Sequence, residues 1–99
     1  MSLRLIVRPL AEEDLAEAQD WYEIQRPGLG TEFRDAVDQS MRRILETPRL
    51  YPEVYRNVRR LVLRRFPYLL YFVLTSDAVI VLACLHGKRD PKLIRSRDP

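Results

Sequence analysis

Residues 68–85 read YLLYFVLTSDAVIVLACL. Two apolar runs, 68–74 and 79–85, flank TSDA (75–78), whose Thr, Ser and Asp have turn chemistry. Neither run alternates apolar with polar residues, so both faces of each must be covered. Seven residues suit a strand better than a helix. The stretch therefore predicts a hairpin of central strands, buried on both sides.

Working outward, VRRLVLRRF (58–66) alternates as a third strand, and Pro67 marks a turn or strand start. LYPEVYRN (50–57) reads as an irregular connection. Two helices precede it. LAEEDLAEAQDWYEIQ (10–25) opens with Glu12, Glu13 and Asp14, where the helix dipole favours negative charge. Leu15, Ala18 and Tyr22 mark its buried stripe. Pro27 and Gly28 break it. The second helix runs from about Leu29 to Glu46, with Leu29, Phe33, Val37, Ser40 or Met41, and Ile44 on its inner face. Thr47-Pro48 stops it, because a residue before proline is pushed out of the helical region. LRLIVR (3–8) reads as a first strand, ended by Pro9. The tail from Pro91 to Pro99 is polar and expected to fray.

The order β-α-α-β-β-β argues an α+β fold: a small, mostly antiparallel sheet with a helical hairpin on one face. Ninety-nine residues suit one domain, 1–99. The composition, 46% hydrophobic and 31% charged, is that of an ordinary globular chain. No apolar run approaches the roughly 18–20 residues of a membrane span, so no membrane role is expected and a cytoplasmic address fits. Cys84 is the only cysteine, which excludes an intramolecular disulfide and a thiolate metal site. No metal or cofactor is expected, since GxGxxG, P-loop and HExxH patterns are all lacking. Gly28 and Gly30 follow no strand and read as helix punctuation.

Net charge is only +3, but it is uneven. Residues 1–48 hold six basic and ten acidic side chains, whereas residues 49–99 hold eleven and four. Arg outnumbers Lys fifteen to two, and the guanidinium fork suits phosphate or carboxylate. A basic half of this kind fits nucleic acid, a ribosome or an acidic protein segment. Arg59, Arg60, Arg64 and Arg65 surround one strand, and Lys88 and Arg89 follow another. Strand alternation sends Arg59 and Arg60 to opposite faces, so the cluster cannot all serve one site. His86, the only histidine, falls just after a buried strand, where it is either a general acid or base or a polar tip at the sheet's end. Tyr68, Tyr71 and Phe72 can stack bases beside arginines, but in so apolar a strand they read as core. DWYEIQ (20–25) reads as a helix end with inward aromatics and no ligand role.

Several spaced blocks then agree in order with one family. DLAEAQDWYEIQRPGLGTEF (14–33), YPEVY (51–55), VRRLVLRRFPYLLYFVL (58–74) and VIVLACLHGKRDP (79–91) resemble the RelE/ParE superfamily of bacterial toxins, over about Arg4 to Pro91. The resemblance implies the toxin of a type II toxin–antitoxin pair, bound by a cognate antitoxin. It does not fix the activity. ParE-like members poison DNA gyrase, and the ending LHGKRDP looks more like that side. RelE-like members cut messenger RNA on the ribosome without metal, and some relatives have no clear toxicity and only bind antitoxin. A nuclease of this kind would draw on His86 as acid or base and on Arg64, Arg65 and Arg89 for phosphate, with Glu53 a remote candidate base. RelE-like nucleases usually carry an Arg where this chain has Tyr68, which removes a phosphate-binding cation. For a binding role, the candidate contacts with target or antitoxin are Arg59, Arg60, Arg64, Arg65, Lys88 and Arg89.

Overall fold

The computed structural model describes residues 2–97. Strand β1 (Arg4–Val7) leads into helices α1 (Pro9–Gln25) and α2 (Leu29–Glu46). A 3-10 turn (Pro48–Leu50) precedes strands β2 (Glu53–Tyr55), β3 (Val58–Val62), β4 (Tyr68–Leu74) and β5 (Ala78–His86), and a 3-10 segment (Pro91–Arg97) follows. One sheet holds all five strands in the order β1-β5-β4-β3-β2. Only β1 and β5 run parallel; the other neighbours are antiparallel. The α+β class and the hairpin of helices on one face are as expected.

Pro9 starts α1 where a missing N–H costs nothing. The turn into α2 is built by two glycines and one carboxylate. Gly28 takes a φ of 90°, in the left-handed region. Glu23 accepts hydrogen bonds from the N–H groups of Gly28 at 2.9 Å and Gly30 at 3.0 Å. A residue of α1 thus caps α2, whose own N-terminus offers no capping side chain. Gly30 also lets the helices touch: a Cβ there would lie 2.6 Å from the Gln19 carbonyl oxygen.

The helices cover one face of the sheet through Leu15, Phe33, Val37, Ile44, Leu70 and Phe72. Tyr22, Phe33, Phe66 and Tyr68 form an aromatic cluster there, with ring centroids 4.9–6.1 Å apart. Burial on both sides, read from the apolar runs, is met on the far face by Val58, Tyr71, Val73, Leu82, Leu85 and Ile94.

Ile94 belongs to the tail that was expected to fray. Its side chain is 2% exposed, and Arg97 pairs with Asp14 of α1 at 2.8 Å. Two apolar residues, Leu93 and Ile94, in a polar tail were enough to seat it, because the far face needs a lid; residues 98–99 lie outside the described residues. Two further expectations are corrected. The third strand stops at Val62, since residues 64–67 bend into β4, and the connection read as irregular contains β2. At three residues with a register shift, β2 is too short to show a period.

A bulge in β5 sets the geometry of its end. Phe72 faces Val81 and Tyr71 faces Ala83, so Leu82 has no partner in β4. Alternation therefore slips by one residue, and Cys84 joins the helix-side core with Val79 and Val81. On the other edge β1 ends at Val7 opposite Val81. Two side chains replace it. Arg97 donates to the Leu82 carbonyl at 3.0 Å, and Asp14 accepts from the Cys84 N–H at 3.0 Å.

Candidate functional site

The slip in β5 carries His86 to the helix side of the sheet, opposite Tyr68. There a cleft of about 200 Å³ opens between α1 and the strand end, lined by Asp14, Glu17, Trp21, Tyr68, His86 and Arg89. The Lys88 N–H donates to His86 Nδ1 at 3.0 Å, so the neutral ring keeps its proton on Nε2. The Tyr68 ring meets His86 edge-on at 5.2 Å. Burial raises the Tyr68 phenol above its ordinary range, with neighbouring Tyr22, Cys84 and Glu17 adding to it. Burial likewise pushes the Cys84 thiol up to about 12, with the Asp14 charge reinforcing it. Both groups hold their protons at neutral pH, so the cleft offers no thiolate nucleophile.

The arginines divide as alternation requires. Arg59 turns to the helix side, where it donates to the carbonyls of Tyr51 at 2.7 Å and Arg49 at 3.3 Å and stands 3.9 Å from Glu53. It holds the β2 approach in place and is not a free cation. Arg60 turns to the far face beside Tyr71. Arg65 is tied to Glu32 of α2 at 2.8 Å and lies over the Phe66 ring. Its hydrogen bond holds the Glu32 carboxyl below the usual carboxylate range, with Arg26 helping. Arg64 and Lys88 are exposed in turns. Arg89 alone of the basic candidates lines the His86 cleft. Glu53 lies three strands across and four residues along the sheet from His86, roughly 20 Å away.

The helix end DWYEIQ departs from expectation. Tyr22 packs inward, but Trp21 is 55% and Ile24 80% exposed. The helical period already turns both away from the buried stripe of Ala11, Leu15, Ala18 and Tyr22, Ile24 furthest of all. Asp14 and Arg97 were missed because a pair so distant in sequence leaves no local pattern. Among the described residues no group of three His, Cys, Asp or Glu side chains is placed to hold a metal ion, and no helix is long and apolar enough to cross a membrane.

Comparison with known proteins follows the same outline. A family model described as the ParE toxin of the type II toxin–antitoxin system, parDE, matches residues 5–91. Toxin ParE2 of Mycobacterium tuberculosis, from strains CDC 1551 / Oshkosh and ATCC 25618 / H37Rv, is 29% identical over 97 residues, which cover 97% of this chain and 92% of that toxin. A solved structure described as the chromosomal ParDE TA system from P. aeruginosa is similar in fold, with a TM-score of 0.77 at 18% identity, over 86% of this chain and 96% of that one. The family match runs from β1 to the start of the C-terminal segment, and the chain belongs to the ParE family of toxins of type II toxin–antitoxin systems.

Proposed function

We propose that this chain arrests growth by acting on DNA gyrase, and that a cognate antitoxin neutralises it. The observation that carries this reading is the charge around His86. Its cleft is lined by Glu17 and by Asp14, whose carboxylate is taken up by Arg97, and among the described residues Arg89 is its one basic lining residue. Cutting RNA without metal takes a base, an acid and several cations converging on one phosphate. Here Tyr68 stands where a RelE-like enzyme places an Arg, Arg65 is engaged by Glu32, and Glu53 is remote. The family description and the ParE2 likeness support the same side of the superfamily. A gyrase inhibitor needs only a binding surface, so the His86 ring acts as a polar end to β5.

The test is induction of the chain alone in a bacterial host, following a DNA-damage reporter and amino-acid incorporation on one time axis. The damage signal is expected to rise before synthesis falls, and His86→Ala is expected to arrest growth as the parent does. Loss of synthesis first, abolished by His86→Ala, would make the chain a ribosome-dependent nuclease. No arrest at all would leave an antitoxin-binding module.

A further inference from the structure

The face of the sheet opposite the helices carries a second cleft, of about 270 Å³, between β2–β3 and the C-terminal segment. Val54, Tyr55, Tyr71 and Ile94 give it apolar walls, and Arg60, Lys92 and Arg95 line it as well. Arg4, Arg26, Arg34, Arg59, Arg65 and Arg97 each have a carboxylate partner. Among the described residues Arg60, Lys92 and Arg95 have none. Three like charges gathered around one small cleft repel each other, and an anion relieves that repulsion.

The cations are positioned rather than loose. The Arg95 guanidinium lies over the Tyr55 ring, 5.5 Å from its centroid. Arg60 is half-buried opposite Tyr71. Among the described residues no buried side-chain nitrogen or oxygen lacks a partner, so the unpaired donors of Arg60 open to solvent in the cleft. Two residues along β3, on the same face, Val62 is 58% exposed opposite Leu69. Arg64 follows, also exposed. Cation and apolar side chain thus stand about 7 Å apart along β3, the two-residue period of an extended chain, with a second cation in the bend beyond the strand. The complement is an extended segment that alternates acidic with apolar side chains. A phosphate backbone fits less well: it has no apolar group to cover Val62, and three or four cations give only weak, salt-labile attraction.

We propose that this cleft and the strip along β3 dock an extended acidic segment of the antitoxin. Its carboxylates meet Arg60, Lys92, Arg95 and Arg64, and an apolar side chain covers Val62. The inference rests on the toxin–antitoxin reading for the identity of the partner, and on the geometry above for the site. The test is a titration of the full chain with a short labelled peptide alternating Glu with Leu, followed by fluorescence anisotropy. Arg60→Glu and Val62→Asp are each expected to weaken binding by about tenfold or more, whereas Arg42→Glu on α2 leaves it unchanged. Val62 is exposed enough for its variant to fold, and a thermal melt checks both variants. Purified antitoxin is expected to displace the peptide. Binding that ignores both variants, or no binding, overturns the site. So does a DNA duplex that binds more tightly to the same residues, or an antitoxin that binds the chain and leaves the peptide in place. Growth arrest on expression is scored separately, so a chain without toxicity would remove the toxin reading while the titration still decides the cleft.

Discussion

Cys84 and His86 lie on the helix side of β5, with Val79 and Val81, because Leu82 is one residue too many for β4. That placement buries Cys84 and gives it two consequences. At pH 8 its thiol stays protonated, so alkylation by iodoacetamide is expected to be slow in the native chain and fast in guanidinium, as mass spectrometry would read it. The unfolded thiol loses its proton near pH 8.5, whereas the folded one keeps it to about 12. The folded state therefore binds the extra proton above pH 8.5, and this contribution to stability is full below that pH and falls as pH rises from it. A urea midpoint that rises between pH 8.5 and 10 would contradict it. The second residue-scale prediction concerns the pair beside Cys84. Arg97→Ala strips Asp14 of its partner and leaves the Leu82 carbonyl without its donor, and is expected to cost about 3 kcal/mol in denaturant unfolding. At this scale the sequence was legible where a period applied: Arg59 and Arg60 do point apart. It was silent on Asp14 and Arg97, and on a bulge that one extra apolar residue hides inside an apolar run.

The helical hairpin was legible because its breakers are strong: Pro27, Gly28, Thr47 and Pro48 bracket two amphipathic stretches. The reason for Gly30 was not, because close approach of two helices is a property of the pair. Gly30→Ala would place a methyl group against the Gln19 backbone, which cannot move without shifting α1. It is expected to lower stability by about 1–3 kcal/mol, an overpacking cost that a thermal melt reads directly. Glu23→Ala removes the cap that α1 supplies to α2, with an expected loss of about 1–2 kcal/mol. The strands divide the same way. The long apolar runs announced β4 and β5, while β2, with three residues and a register shift, is held by its neighbours: Arg59 ties its approach by side-chain bonds and β3 by pairing.

Across the whole molecule, the tail is the element whose role was misread. Removing residues 91–99 uncovers the far face around Leu82 and Leu85, deletes the Ile94 contact and breaks the Arg97 pair. Burial of one isoleucine contributes roughly 2–3 kcal/mol, and a domain of this size holds about 5–15 in total. The truncated chain is therefore expected to melt well below the parent and to bind a hydrophobic dye; an unchanged melt would mean the segment is not a lid. Charge was legible only as an inventory. The structure sorts it, pairing Arg59 and Arg65 with carboxylates while Arg60, Lys92 and Arg95 converge on the far face and only Arg89 of the described cations lines the His86 cleft. That sorting underlies the reading of a toxin that binds its target rather than cuts RNA. The most direct test incubates the purified chain with purified DNA gyrase, ATP and plasmid, then counts linear DNA after detergent and protease. Linear DNA is expected to accumulate with dose and to disappear when antitoxin is added. Unhindered supercoiling, with messenger RNA cut by the same preparation in a translation extract, would contradict it.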